Sequence, residues 1–225
     1  MRPQRYHALP EADEARTHLE ASLRCAYSGA FRGTFSGDDS GTFGVIVDPH
    51  TGEVRGAAHS SRYDAMTQAS GAGIISYDQT MAFITGFVDT GASFFGRLTS
   101  TDDMSGTWED SWEGDSGTFS GTRIGGGAWA SYRYTGVARN LDGSIGAVLS
   151  MDRDDNMING IGYGIEDNDQ FTFEGTLSGT AISATASNGV QINGNLHPDD
   201  TFDGQWYNPA DGDSGTFEGC GCPLN

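Results

Sequence analysis

Gly114-Asp115-Ser116-Gly117-Thr118-Phe119 recurs, residue for residue, as Gly212-Asp213-Ser214-Gly215-Thr216-Phe217. The copy extends well beyond six residues. Residues 91–121 align without a gap on 189–219: Gly91 falls on Gly189, Gly96 on Gly194, Leu98 on Leu196, Asp102 on Asp200, Gly106 on Gly204 and Trp108 on Trp206. Upstream, Glu53-Val54-Arg55-Gly56 answers Met157-Ile158-Asn159-Gly160. With a small gap, Phe43-Gly44 answers Ile145-Gly146. Self-similarity of this length identifies a duplicated structural unit. It divides the chain into an N-terminal arm (1–26), a first unit (27–123), a Gly-rich joint (124–130), a second unit (131–221) and a tail (222–225).

Within Ser116-Gly117-Thr118-Phe119-Ser120-Gly121-Thr122 one side of a strand carries Ser and Thr and the other carries Gly and Phe. Side chains alternate across a strand, so this pattern gives one wettable face and one apolar face. Phe31, Gly33 and Phe35 repeat the split, as do Gly41, Phe43, Val45 and Val47, and Val190, Ile192, Gly194 and Leu196. Turn clusters such as Gly37-Asp38-Asp39, Pro49-His50-Thr51-Gly52 and Asp89-Thr90-Gly91 punctuate each unit at close spacing. Asp and Gly suit tight hairpins because they tolerate positive φ. The turns delimit eight short strands per unit, near 28–36, 40–48, 53–60, 67–75, 79–88, 92–99, 104–110 and 116–123 in the first. A meander of eight closes most economically into an up-and-down barrel, which removes its raw edges. Glycine inside a strand is costly unless something needs its space. Glycines alternating with rings on an inner wall supply that reason in a narrow barrel. The expected fold is therefore all-β: two tandem eight-stranded antiparallel meander barrels with a short N-terminal helix. One larger barrel or a sandwich sharing strands between units is the alternative. Gly-rich meander barrels of this look occur in lipocalin-like proteins and in bacterial surface lipoproteins, and no family fingerprint covers the chain.

Composition narrows the functions. The 225 residues hold 31 acids against 12 bases, all arginine, for a formal net charge of -19. Such a surface repels a phosphate backbone, which argues against nucleic-acid binding. No run of about 18 apolar residues exists to form a spanning helix. The Ser/Thr outer face also differs from the apolar band of a membrane barrel. Residues 1–24 lack the apolar core of a cleavable secretory signal. Their Ala12, Ala15, Leu19 and Leu23 form a helical stripe over Pro10 to Arg24, suited to a barrel lid or a docking arm.

The cysteines are Cys25, Cys220 and Cys222. Cys25 closes the arm and Cys220 closes the last strand, so these two are the expected disulfide if the chain ends meet; three reduced thiols are the alternative. Cys220-Gly221-Cys222 is too short and isolated for a zinc site. The two Gly-Asp-Ser-Gly runs resemble a serine-nucleophile motif, but each is a turn leading into a strand, with no His and Asp in a matching frame. Asp152-Arg153-Asp154-Asp155-Asn156 opens like a calcium loop, yet Met157 stands where glycine is required. Neither a catalytic residue nor a metal or other cofactor is expected.

Trp108 and Trp206 are repeat partners and belong on the inner face. Trp112 falls on Ala210, Phe95 falls on Asn193, and Trp129 sits in the joint near Tyr132. Residues that break a duplication are where a function has room to be added, so Trp112, Trp129, Tyr132 and Phe95 are the candidate partner contacts. The reading is a non-enzymatic protein-binding or assembly module, such as an inhibitor, an immunity protein or a structural subunit. The alternative is a barrel that holds a small apolar ligand, as carrier or cyclase, with strand 79–88 as one wall. A cavity of about 300 Å³ or more favours the alternative. Filled barrels with an exposed aromatic patch favour the first.

Overall fold

The computed structural model describes residues 24–75, 82–98, 102–125 and 130–224, with Ile75 described by its backbone alone. The expected helix over Pro10 to Arg24 lies almost wholly outside the described residues; a single helical turn covers 24–27. Sixteen strands follow. The first eight are β1 (Gly29–Gly37), β2 (Gly41–Val47), β3 (Glu53–Ser60), β4 (Ala65–Ile75), β5 (Ala82–Val88), β6 (Ser93–Leu98), β7 (Asp103–Asp110) and β8 (Asp115–Arg123). The second eight are β9 (Tyr132–Asn140), β10 (Ile145–Asp154), β11 (Met157–Gly164), β12 (Asp169–Ser178), β13 (Ala181–Ala186), β14 (Gln191–Leu196), β15 (Thr201–Tyr207) and β16 (Ser214–Pro223). Each set pairs antiparallel in chain order, and the last strand returns to the first, giving two closed barrels.

The repeated hexapeptide shows why the walls close. Gly114 and Gly212 take φ of 76° and 85° in the turn before the strand, a conformation costly for other residues. A Cβ on Gly117 would lie 2.5 Å from Trp108 Nε1, and one on Gly215 would lie 2.6 Å from Trp206 Nε1. The indoles lie over these glycines and donate to equivalent carbonyls, Trp108 to Ser36 O at 3.3 Å and Trp206 to Arg139 O at 3.0 Å. Phe119 then packs over Gly96 and Gly106, and Phe217 over Gly194 and Gly204. Glycine and ring are thus two halves of one packing unit, built twice. The tryptophans are half-buried at one end of each barrel rather than fully inside.

Ladder register corrects one part of the sequence alignment. Phe43 faces Gly33 and Ala58, whereas Leu149 faces Gly136 and Gly162. Phe43 is therefore equivalent to Leu149, not to Ile145. The β1–β2 ladder pairs Phe35 with Gly41, whereas the β9–β10 ladder pairs Ala138 with Ala147 and shifts register between Ile145 and Ala147, so the second connection is longer, which local similarity does not show.

The barrels lie side by side. Ala30, Ile46 and Ala57, on the outer faces of β1–β3, form a third apolar cluster with Val137, Val148, Tyr163 and Ile165. Gly44 permits this approach: a Cβ there would sit 2.8 Å from Ile165 Cγ1. Polar contacts frame the apolar centre. Thr42 Oγ1 donates to Ile165 O at 2.8 Å, Ile145 N to Gln68 Oε1 at 2.7 Å, and Arg55 Nη1 to Glu218 Oε1 at 2.9 Å. Outer faces expected to be wettable are apolar where they meet the other barrel.

The disulfide joins Cys25 to Cys222, with Cα atoms 5.8 Å apart, and not to Cys220. Cys220 and Cys222 share the outer face of β16, about 7 Å apart along the strand. That separation exceeds what one bridge can tolerate as slack, so Cys25 reaches only one of them. β16 runs on through Cys222 and Pro223, carrying the reactive position past the expected strand end. Cys220 stays a buried thiol at the barrel junction. Burial, then the nearby Asp48 carboxylate, push that thiol far above the usual range.

Candidate functional site

Barrel one holds a cavity of about 420 Å³ that opens at the end bearing the β1–β2, β3–β4, β5–β6 and β7–β8 turns. Its inner wall includes Val45, Ala69, Ile84, Met104 and Phe119, and its upper wall includes Phe94 and Trp108. Asp39, Asp110, Glu113 and Asp115 lie at the rim.

The cavity has a visible origin in the duplication. On β4, Ala69 faces Gly56 and Thr67 faces Ala58. On β12, Phe173 faces Gly160 and Phe171 faces Gly162. The ladders place Thr67 and Ala69 where barrel two carries two rings. Phe171 and Phe173 are packed so closely on their glycines that a Cβ on Gly162 or Gly160 would come within 2.1 Å or 2.0 Å of the ring. Barrel one holds small residues at both positions, and the space stays open. Thr67 Oγ1 is buried with no hydrogen-bond partner among the described residues, so this wall also carries an unsatisfied polar atom.

The opposite end of barrel one is closed by Arg123. Its side chain points inward, lies 5.0 Å from the centre of the Phe31 ring, and donates to the carbonyls of Ser28 and, at 2.7 Å, Ala26. Burial first, and Arg133 second, lower its pKa to about 10, and Asp102 acts the other way. Barrel two has Gly221 at the equivalent position and closes with Arg153, stacked 4.7 Å over Tyr132 and donating to Tyr134 Oη at 3.3 Å.

The rim is held by local hydrogen bonds. Asp39 accepts from Ser60 Oγ at 2.7 Å and from Ser40 N at 2.6 Å. Asp110 accepts from Trp112 N at 2.9 Å. Arg62, from the β3–β4 turn, reaches Asp115 at the start of β8 at 2.7 Å.

Of the four residues expected to contact a partner, the three that lie among the described residues do not converge. Trp112 is 90% exposed in the β7–β8 turn beside the cavity mouth, its ring against Gly91 of the β5–β6 turn. Phe95 is exposed on the outer face of β6 and stacks on Phe83 at 5.9 Å. Tyr132 belongs elsewhere: it stacks on Tyr134 at 6.1 Å and packs on the core of barrel two, because its place in the alternation turns it inward. Trp129 lies outside the described residues.

Phe95 has company that the sequence reading missed. Ile74, Phe83 and Phe87 lie with it on the outer face of β4–β6, and Ile74, Phe87 and Phe95 are more than half exposed. Ile74 faces Phe83 across the β4–β5 ladder, as Ser178 faces Ala181 in barrel two. Thr185 and Asn193 complete the equivalent set. Strand 79–88 was expected to be a ligand wall. Ile84 and Val88 do line the cavity, while Phe83 and Phe87 point out. The mismatch between repeats, scanned strand by strand, carried the signal for this patch.

Among the described residues no group of three or more His, Cys, Asp or Glu is placed to hold a metal ion. Ser116 of the first Gly-Asp-Ser-Gly run presents its backbone N–H to Asp38 Oδ2 at 3.0 Å, as part of a turn. No described helix is long and apolar enough to cross a membrane.

Fold and site together define a tandem pair of closed antiparallel barrels, one hollow at its mouth and one packed. No known family model matches the chain, and no curated protein matches it. A solved structure described as "The Structure of Intact Ap-TbpB (N and C lobes)" aligns over 88% of this chain and 77% of that chain, with 8% identity and a TM-score of 0.30. A likeness of that size carries no argument about fold or function.

Proposed function

We propose that the protein is a non-enzymatic binding module that docks a protein partner on the outer β4–β6 face of barrel one. The carrying observation is a four-for-four exchange. Ile74, Phe83, Phe87 and Phe95 stand where the sister barrel has Ser178, Ala181, Thr185 and Asn193. Both faces are strand walls of the same architecture, so folding does not require the apolar set. A contiguous exposed apolar patch is the usual mark of an interaction site. The net charge of -19 selects the partner's chemistry: an apolar surface flanked by basic side chains. The same charge opposes a second copy of this chain in that place.

A photo-crosslinking residue at position 95, compared with one at 193, tests this in cells that make the protein. A single basic protein should crosslink from 95 and not from 193. The purified pair should then lose at least tenfold in affinity when Phe83→Ala and Phe95→Asn are combined. Equal crosslinking from both positions, or crosslinking of the chain to itself, contradicts the proposal.

The cavity favours a second reading, capture of a small apolar ligand by barrel one. Its volume exceeds the lower bound of about 300 Å³ for ligand pockets.

A further inference from the structure

We propose that the cavity of barrel one is a site for a small cationic amphiphile, a molecule with a short apolar body and a positively charged head. The inference rests on the ligand-capture reading and adds the ligand's class. The body would lie between Ala69, Ile84 and Phe119, in the volume that rings fill in the sister barrel. The head would lie at the rim.

Three features support this assignment. First, the walls below the rim are apolar: Phe43, Val45, Ala69, Ile84, Met104 and Phe119 offer a chain or ring nothing to hydrogen-bond. A ligand seated there gains chiefly from apolar burial, with Thr67 Oγ1 as a buried polar atom of the wall that has no partner among the described residues. Second, polarity is graded along the cavity. Its mouth carries four carboxylates, Asp39, Asp110, Glu113 and Asp115, and among the described residues the cation engaged there is Arg62, committed to Asp115. Asp39 and Asp110 are held in place by Ser60 and by the Trp112 backbone, both neutral donors. The rim therefore keeps a net negative field fixed before any ligand arrives. An anionic head, such as a fatty carboxylate, meets repulsion there. Third, an indole stands at the entrance: Trp108 is half-buried in the upper wall, whereas exposed Trp112 lies outside the lining with its ring against Gly91 of the β5–β6 turn. An indole face attracts a quaternary or primary ammonium in addition to the carboxylates. Arg123 blocks the far end, so a ligand enters and leaves by the acidic mouth.

The probes are decyltrimethylammonium, decanoate and 1-decanol at submicellar concentration, titrated into the full chain and followed by calorimetry and tryptophan fluorescence. Decyltrimethylammonium should bind at least tenfold more tightly than decanoate. The advantage should shrink in high salt and in Asp110→Asn/Glu113→Gln, while decanol affinity holds. Ala69→Phe copies Phe173 and leaves every charge in place, so it separates the cavity from the protein's overall acidity. It should abolish binding of all three probes, with Thr67→Phe as the second variant and thermal unfolding as the check that each is folded. Equal affinity for the three probes overturns the charge assignment and leaves ligand capture standing. No binding to the wild-type chain, or undiminished binding to folded Ala69→Phe, overturns both.

Discussion

Ala69 and Phe173 hold the same ladder position in the two barrels, each opposite a glycine of the preceding strand, Gly56 and Gly160. This position, with Thr67 and Phe171 beside it, distinguishes a hollow repeat from a packed one. Phe173 belongs to a buried cluster with Leu149, Ile158, Ala184 and Ile192. Ala69 lines open space.

Phe173→Ala should therefore behave unlike a mutation in barrel one. It removes a buried ring whose glycine seat cannot collapse to fill the gap. A loss of about 3–5 kcal/mol is expected in denaturant unfolding. A loss under about 1 kcal/mol would mean that barrel two is not packed as described.

Gly117→Ala and Gly215→Ala should each be costly for one shared reason. The added methyl would meet the carbonyl of Ser36 or Arg139 as well as an indole edge. Overpacking of this kind costs about 1–3 kcal/mol, and a backbone obstacle places the cost at the upper end. Similar melting-temperature drops for the two variants are expected. A large drop in one and none in the other would break the equivalence of the repeats.

Loss of the Cys25–Cys222 bridge should weaken the whole molecule. It ties the turn before β1 to the end of β16 across a sequence separation of 197. In the chain-entropy account a loop that long contributes about 5 kcal/mol by restricting the unfolded state. Cys25→Ser and Cys222→Ser should fall equally in urea unfolding, and Cys220→Ser should leave the bridge intact by mass spectrometry. An intact bridge in Cys222→Ser would contradict the assignment.

Acid should act on the barrel junction through Asp48. Burial raises its pKa, but donation from Thr51 N, the Cys220 thiol and His50 N outweighs burial and leaves it below the usual carboxylate range. A depressed folded-state pKa adds stability that is present above the unfolded pKa and is lost as pH falls through the folded one. The stability gap between wild type and Asp48→Asn should be full near neutrality and close as pH falls through the ordinary carboxylate range and then through the lowered folded-state pKa. A gap constant with pH would show that the carboxylate charge contributes nothing.

Much of this was legible in the sequence, because glycine and ring alternate with the two-residue period of a strand and do so twice. The strand count, the pairing order and the inward rings all follow from that pattern. The junction was not legible. Ile46, Ala57 and Val148 break the wettable outer face singly, and nothing local tells a stray apolar residue from half of an interface. Choosing between Cys220 and Cys222 required the reach of the arm, which only three-dimensional placement supplies. The cavity was legible in principle. Thr67 and Ala69 against Phe171 and Phe173 is a difference at the same offset that puts Glu53 on Met157, but a small residue in place of a ring does not by itself tell an open cavity from one refilled by a neighbouring side chain. Tyr132, read as a neighbour of Trp129, packs on the core of barrel two because its place in the strand alternation turns it inward.

The claim that barrel one is hollow and barrel two is full is tested most directly by xenon-pressurised crystals, since xenon occupies apolar voids. An anomalous peak is predicted between Ala69, Ile84 and Phe119, with none between β11 and β12 where Phe171 and Phe173 lie on their glycines. Peaks of equal height in the two barrels, or a peak in the second alone, would contradict the account.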